Sequence, residues 1–176
     1  TPDTYTQVNS SAASDVYKRQ DDINTGLSPD ARNRLAGQLS RTLADTMLLM
    51  IKTQVYHWNV VGPLFKPIHD LTEEHYKNLF EAADDIAERI RALGHPAPVS
   101  FTDLVPKTGL IEESNSRSAR GMVSQLVEDH EMIVRAARKT AEFAEESGDF
   151  VTHDLLVERM NFHEQAIWML RAIIAD

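Results

Sequence analysis

Cysteine is absent from the 176-residue chain, so disulfides, thiolate metal sites and thiol catalysis are excluded. No run of about 18 apolar residues occurs, so we expect no membrane-spanning helix. The N-terminus carries no apolar signal core, which together with the missing cysteine is compatible with a cytoplasmic location. Basic residues are in the minority, since 18 Lys and Arg stand against 27 Asp and Glu. The resulting charge of −9 opposes general binding to nucleic acid and suits cationic partners.

Glycine and proline number only seven each, and most lie outside the long stretches that repeat with helical periodicity. Apolar residues make up 42% of the chain, which is enough for one domain with a substantial core. Residues 1–27 are polar, show no apolar period and are predicted to be a flexible tail. The stretch 11–20 within this tail resembles translated sequencing-adaptor sequence, so part of the tail is not counted as native. The folded domain is therefore predicted to be residues 28–176.

Four long amphipathic helices are predicted, at about 28–60, 66–93, 117–147 and 150–174. Glycine and proline end them, and the link at about 95–115 is long enough for a crossover and a short helix. The inner stripe of the first helix is predicted to comprise Leu35, Leu39, Leu43, Met47, Met50, Val55 and Trp58. Two helical hairpins joined by one long crossover, between the second and third helices, describe an all-α, ferritin-like four-helix bundle.

Candidate metal ligands lie at both ends of the second helix. His57 is close to the end of the first helix and His69 begins the second, so a short turn brings both imidazoles to one place. Asp84 and Glu88 are four residues apart, which puts two carboxylates on one helix face. Nitrogen and oxygen ligands of this kind suit iron, zinc and manganese alike. The ligand set predicts a metal site without choosing the metal.

The distance between these two pairs predicts a dimer. His69 and Asp84 are 15 residues apart on one helix, which separates them by roughly 22 Å. A metal bound at about 2 Å cannot reach both within one chain. If the two pairs bind one metal together, the histidine pair of one chain must therefore face the Asp–Glu pair of another. A two-fold axis achieves this and creates two equivalent sites at once.

Simpler interpretations exist for each of these residues. A histidine on a helix often only caps the helix or forms a hydrogen bond, and Trp58 can be a core aromatic. Taken one at a time, the acids are most simply interpreted as solvated surface residues; these are Asp84, Glu88 and Glu73. Glu88 can also form an ion pair with a neighbouring Lys or Arg. None of the seven histidines has a glutamate three residues before it. The Glu-x-x-His site in the middle of four-helix di-iron proteins is therefore missing.

The combined pattern resembles the Dps family, the DNA-binding proteins from starved cells. The matching residues are His57-Trp58-Asn59-Val60, Gly62, Phe65, His69, Asp84-x-x-Ala87-Glu88-Arg89 and Leu93-Gly94. The resemblance is densest over residues 40–95 and continues more loosely to about residue 174.

The resemblance implies a ferroxidase that stores iron. His57 and His69 of one subunit and Asp84 and Glu88 of its two-fold partner would bind iron, and Glu73 would support or bridge the metal. Trp58 would lie beside the site and take up stray oxidising equivalents. The implied assembly is a twelve-subunit shell that oxidises ferrous iron, preferably with hydrogen peroxide. It would keep the ferric mineral inside and so limit oxidative damage.

Four further expectations concern the function, the partners and the pores. The alternative function is a DNA-compacting or structural shell without significant iron turnover. DNA binding is expected to be weak, because the only basic residues of the N-terminal tail are Lys18 and Arg19. Zinc or another divalent metal remains an alternative occupant of the same ligands. Acids at the turn between the last two helices are candidates for lining entry pores; these are Glu145, Glu146, Asp149 and Asp154.

Overall fold

The computed structural model describes residues 23–98, 100–111 and 118–175. Within these ranges the chain contains no strand. It forms helices α1 (Pro29–Asn59), α2 (Phe65–Ala92), α3 (Phe101–Leu104), α4 (Ala119–Glu146) and α5 (Phe150–Ile173). A 3₁₀ turn at Val105–Lys107 follows α3. The predicted all-α bundle with a long crossover is confirmed, while residues 1–22 of the predicted tail lie outside the described ranges.

Local sequence signals set the ends of the long helices. Ser28 accepts a hydrogen bond from the backbone N–H of Ala31 at 3.2 Å, and Pro29 occupies the first turn of α1, where its missing N–H costs nothing. Gly62 lies in the turn that connects α1 to α2 and has φ +93°, a conformation that residues with a side chain rarely adopt. The turn is short, so α1 and α2 pack together as a hairpin, and α4 packs along α5 in the same way.

Apolar side chains fill the space between the four long helices. One buried cluster forms where α1 begins and α2 ends, and it includes Leu35, Leu39, Leu43, Ile86, Ile90 and Leu156. A second lies at the opposite end of the bundle and includes Leu49, Ile68, Leu79, Leu126, Ile133 and Leu170. These residues recur at helical spacing, so burial of one face per helix is what stabilises the bundle.

The predicted inner stripe of α1 is wrong at its C-terminal end. Val55 is 38% exposed and Trp58 is 64% exposed, whereas His57 lies buried between them. The interpretation of Trp58 as a core aromatic of the single chain is therefore also wrong. The physical reason is that the 3.6-residue period carries residues 55 and 58 around to the outer face of so long a helix.

The crossover is fastened to α1 through polar contacts. Asp45, which is 3% exposed, accepts hydrogen bonds from the Thr108 hydroxyl and the Gly109 N–H, both at 2.7 Å. Lys52 donates to the Ile111 carbonyl at 2.8 Å and to the Asp129 carboxylate of α4 at 2.6 Å. The crossover is thus held by side chains of the helix that it crosses.

Asp149 joins the two hairpins. Its carboxylate accepts a hydrogen bond from the Thr152 N–H at 3.0 Å, which caps α5, and another from Arg89 of α2 at 2.7 Å. Asp149 is only 3% exposed. Its assignment to a pore lining is therefore wrong for the single chain. Burial opposes its ionisation, but the hydrogen bonds from Arg89 and Thr152 more than offset burial and hold the pKa of Asp149 below its usual value.

The Asp149→Asn substitution tests this ion pair, because asparagine still caps a helix but carries no charge. We expect the free energy of unfolding to fall by about 1–3 kcal/mol at neutral pH. The native pKa lies below the unfolded value, so the contribution is present above about pH 4 and is lost as pH falls through the native pKa. The free energies of unfolding of the wild-type and Asp149→Asn proteins, measured by denaturant titration across this pH range, should therefore become equal at low pH. A difference that is independent of pH would contradict the assigned role.

Candidate metal centre

The turn between α1 and α2 brings His57 and His69 into contact. The Nδ1 atom of His57 lies 2.8 Å from the carbonyl oxygen of His69, and the Nδ1 atom of His69 lies 3.1 Å from the carbonyl oxygen of His57. A carbonyl oxygen only accepts hydrogen bonds, so each Nδ1 must carry the proton. In the neutral ring the Nε2 atom then holds the lone pair. Both imidazoles are thereby held in the tautomer that leaves Nε2 free to bind a metal.

Aromatic packing fixes the orientation of the two rings. The His57 and His69 rings stack with centroids 3.8 Å apart and an angle of 17° between their planes. Phe65 stacks on the outer side of His69 at 4.9 Å, and the Tyr76 ring meets His57 edge-on at 5.4 Å. His57 is 9% exposed, so little freedom remains for its side chain. Hydrogen bonds and packing together preorganise the pair.

Glu73 completes the local donor set. One ligand atom each from His57, His69 and Glu73 can be chosen so that all three lie within 4.8 Å of one another. Glu73 lies one helical turn after His69 and forms an ion pair with Lys77. The hydrogen bond and charge of Lys77, with a smaller contribution from the two histidines, lower the pKa of Glu73. The carboxylate is therefore ionised at neutral pH and available to a cation.

Asp84 and Glu88 lie far from this group on the same helix. Both are exposed on α2, which runs without interruption from Phe65 to Ala92. The 15 residues between His69 and Asp84 therefore correspond to roughly 22 Å along the helix axis. The described residues of one chain bring together His57, His69 and Glu73, but they do not bring the Asp84–Glu88 pair to them.

Half-buried and exposed apolar side chains line the surface between the two ends of α2. Tyr76, which contacts His57, lines one surface groove together with Met50 and Phe80. Phe80 and Met50 also line the neighbouring groove that contains Asp84. Phe80 is 68% exposed. The histidine end and the acidic end thus share one continuous surface, and Trp58 lies exposed next to His57.

Comparisons with known proteins agree on one family. The model of the ferritin-like domain matches residues 36–176. A low temperature-induced protein of Nostoc sp. is 42% identical over 154 residues, covering 86% of each chain. DNA protection during starvation protein 2 of Bacillus anthracis is 34% identical over 136 residues, covering 77% of this chain and 93% of that one. The chain belongs to the Dps family.

A solved structure supports the same assignment for this Dps chain. The Dps protein of Vibrio cholerae, described as a member of a broad superfamily of ferritin-like diiron-carboxylate proteins, superposes with a TM-score of 0.82. It is 30% identical, and the match covers 87% of this chain and 97% of that one. None of the described helices of this Dps chain combines the length and the apolar character needed to span a bilayer.

Three buried histidines of this Dps chain were not predicted from the sequence. His75, His130 and His163 lie inside the bundle, with exposures of 2%, 0% and 1%. A signal was present, because each occupies an inner-face position at helical spacing from buried apolar residues. His75 lies four residues before Leu79, and His130 lies four residues after Leu126. A histidine in an apolar stripe thus marks a buried imidazole.

Proposed function

We propose that this Dps protein oxidises ferrous iron at a site shared between two subunits and retains the ferric product inside a protein shell. The observation that carries the proposal is the pair of Nε2 atoms that His57 and His69 present beside the ionised Glu73. Imidazole and carboxylate ligands without sulfur tolerate both ferrous and ferric iron. Membership of the Dps family supports iron storage and protection as the general role.

The chemistry assigned to the site is a two-electron oxidation with iron as the substrate. Hydrogen peroxide accepts one electron from each of two ferrous ions and takes up two protons. The O–O bond breaks, and two ferric ions and two water molecules result. Because both electrons are delivered together, hydroxyl radical is not released. We expect Trp58, the residue after His57, to supply the second electron when only one ferrous ion is oxidised.

The remaining ligands are proposed to come from a second copy of the chain. One chain cannot bring Asp84 to His69, and a two-fold axis would place the partner's acids beside the histidines. The exposed apolar surface around Phe80, which joins the two ends of α2, supports this contact, because such surfaces commonly pair with another protein. The dimer would be the building unit of a shell of twelve subunits.

Mixed assemblies test whether the ligands combine between subunits. We would co-express one chain carrying His57→Ala and His69→Ala with another carrying Asp84→Ala and Glu88→Ala. Each variant alone should be inactive, because every site lacks half of its ligands. In random two-fold pairs, about one quarter of the sites regain all four ligands, so about a quarter of the wild-type rate should return.

The readout is the rate of ferrous oxidation by peroxide under anaerobic conditions. Each variant expressed alone is the control, and light scattering should show particles of the same mass in all samples. A mixed assembly no more active than either variant alone would remove the shared site from consideration.

A further inference from the structure

Three imidazoles from three different helices meet inside the bundle. His75 belongs to α2, His130 to α4 and His163 to α5. The Nδ1 atoms of His130 and His163 are 2.7 Å apart, which is the distance of a shared proton. The His75 ring lies 5.7 Å from that of His130, and Phe162 packs against all three rings. Helices α2, α4 and α5 thus converge on one polar cluster in an apolar interior.

Several nitrogens of this cluster have no hydrogen-bond partner among the residues that the structure describes. They are both ring nitrogens of His75 and the Nε2 atom of His130. Leaving such groups buried and unsatisfied costs free energy, and apolar residues of similar size would avoid that cost. Buried polar groups are otherwise almost always satisfied in native proteins. Each neutral imidazole carries one lone pair, so a ligand that accepts a lone pair from each ring would account for three histidines buried at this cost.

We propose that His75, His130 and His163 form a second metal site, within one subunit, that binds a zinc ion. Helical bundles build metal sites from side chains on facing helices, and neutral imidazoles are the donors of three-histidine zinc sites. Affinity for such nitrogen ligands increases from Fe²⁺ to Zn²⁺, so zinc is favoured over the ferrous substrate. This site is independent of the proposed iron site, since it uses other residues and needs no partner subunit.

Binding requires small changes in the cluster. The ion takes the place of the proton between the two Nδ1 atoms, and that proton moves to Nε2 of the same ring, so both imidazoles stay neutral. Among the described residues, the three rings of the buried cluster do not bring one donor atom each to within 4.8 Å of one another. His75 must therefore turn its ring toward His130 and His163, which its unpartnered nitrogens permit.

The electrostatic surroundings suit neutral ligands. Burial lowers the pKa of His75 to about 4, and burial, with smaller contributions from His75 and Arg159, lowers the pKa of His130 to about 3. The rings therefore do not need to lose a proton before they bind a metal near neutral pH. The Arg159 guanidinium donates to Asn78 at 2.8 Å and lies over the Phe162 ring. Its positive charge disfavours a dication with neutral ligands alone, so we expect an anion, such as hydroxide or chloride, as the fourth ligand.

Zinc content in a background without the iron ligands tests the site. In the His57→Ala/His69→Ala protein, incubated with zinc and freed of excess metal by gel filtration, we expect about one zinc per chain. Adding His163→Leu should weaken zinc binding at least about tenfold. The matched control is His153→Gln on the same helix, a histidine outside the cluster, which should leave the zinc content unchanged.

X-ray absorption at the zinc edge tests the site even if the His163→Leu protein does not fold. The measurement uses a protein whose three cluster histidines are all unchanged. An ion surrounded by three imidazoles in the His57→Ala/His69→Ala protein would support the site. An oxygen-rich ligand shell would overturn it, as would a zinc content near zero or one unaffected by His163→Leu. Because this background lacks the iron site, failure here would leave the proposed oxidation of iron untouched.

Discussion

Replacing His69 with alanine is expected to slow ferrous oxidation by peroxide about 100-fold or more, because loss of a ligand exceeds the effect of losing a supporting contact. The substitution removes one Nε2 donor and also the Nδ1–H that bonds to the His57 carbonyl at 3.1 Å. The His57 ring loses its stacking partner at the same time, so both imidazoles of the site are affected. Anaerobic stopped-flow absorbance would measure the initial rate.

The matched control for His69 is His153→Ala, since His153 lies on α5 outside the candidate iron site. Both variants should retain the particle mass and helical circular dichroism of the parent. Wild-type kinetics in the His69→Ala protein would remove the histidine pair from the proposed mechanism. Loss of activity in both variants would point to a general disturbance of the protein and would equally contradict the assignment.

Replacing Lys52 with methionine is expected to lower the free energy of unfolding by about 3–5 kcal/mol, which is the usual effect of breaking a buried ion pair. Lys52 is 8% exposed and Asp129 is 1% exposed, and their charged atoms are 2.6 Å apart. The substitution leaves the Asp129 carboxylate buried with Gln125 as its remaining side-chain partner. It also frees the Ile111 carbonyl, so the crossover loses an anchor to α1.

Two comparisons separate the buried charge from other effects of the Lys52 substitution. The Lys52→Met/Asp129→Leu protein should recover most of the loss, because no uncompensated charge then remains in the core. Breaking the exposed Arg138–Glu164 pair by Arg138→Met should cost less than about 1 kcal/mol. Denaturant titrations at one subunit concentration would measure all four proteins. Equal losses in both single variants would contradict the distinction between buried and exposed pairs.

Helix positions in this protein were predictable because they depend on local signals. Ser28-Pro29, Gly62, Gly94 and Gly148 act on a few neighbouring residues, and the structure ends its helices close to them. The spacing of His57, His69, Asp84 and Glu88 was equally informative. A helix has a nearly constant rise per residue, so sequence separation along α2 converts directly into distance. The distance between His69 and Asp84 along α2 is by itself enough to require a second chain at the proposed site.

Other features depended on how the helices pack. The width of the buried face of α1 could not be predicted from the apolar spacing, so Trp58 was assigned to the inner stripe although it is exposed. In the sequence, Asp149 resembles a solvated acid in a turn. In the structure, Arg89, which is 60 residues earlier in the chain, donates a hydrogen bond to its carboxylate. The contact between His130 and His163 likewise joins two helices. Such contacts are set by the rotation of each helix about its axis, which a single sequence does not specify.

By itself the sequence determined the all-α fold, the bounds of the long helices and the separation of the two ligand pairs, because each follows from the rise and period of an α-helix. Only the tertiary structure decided that His57 and His69 share reciprocal hydrogen bonds, and that His75, His130 and His163 meet in the interior. Those relations arise where separate helices pack, since side-chain contacts depend on the relative rotation and distance of helices as well as on the order of residues.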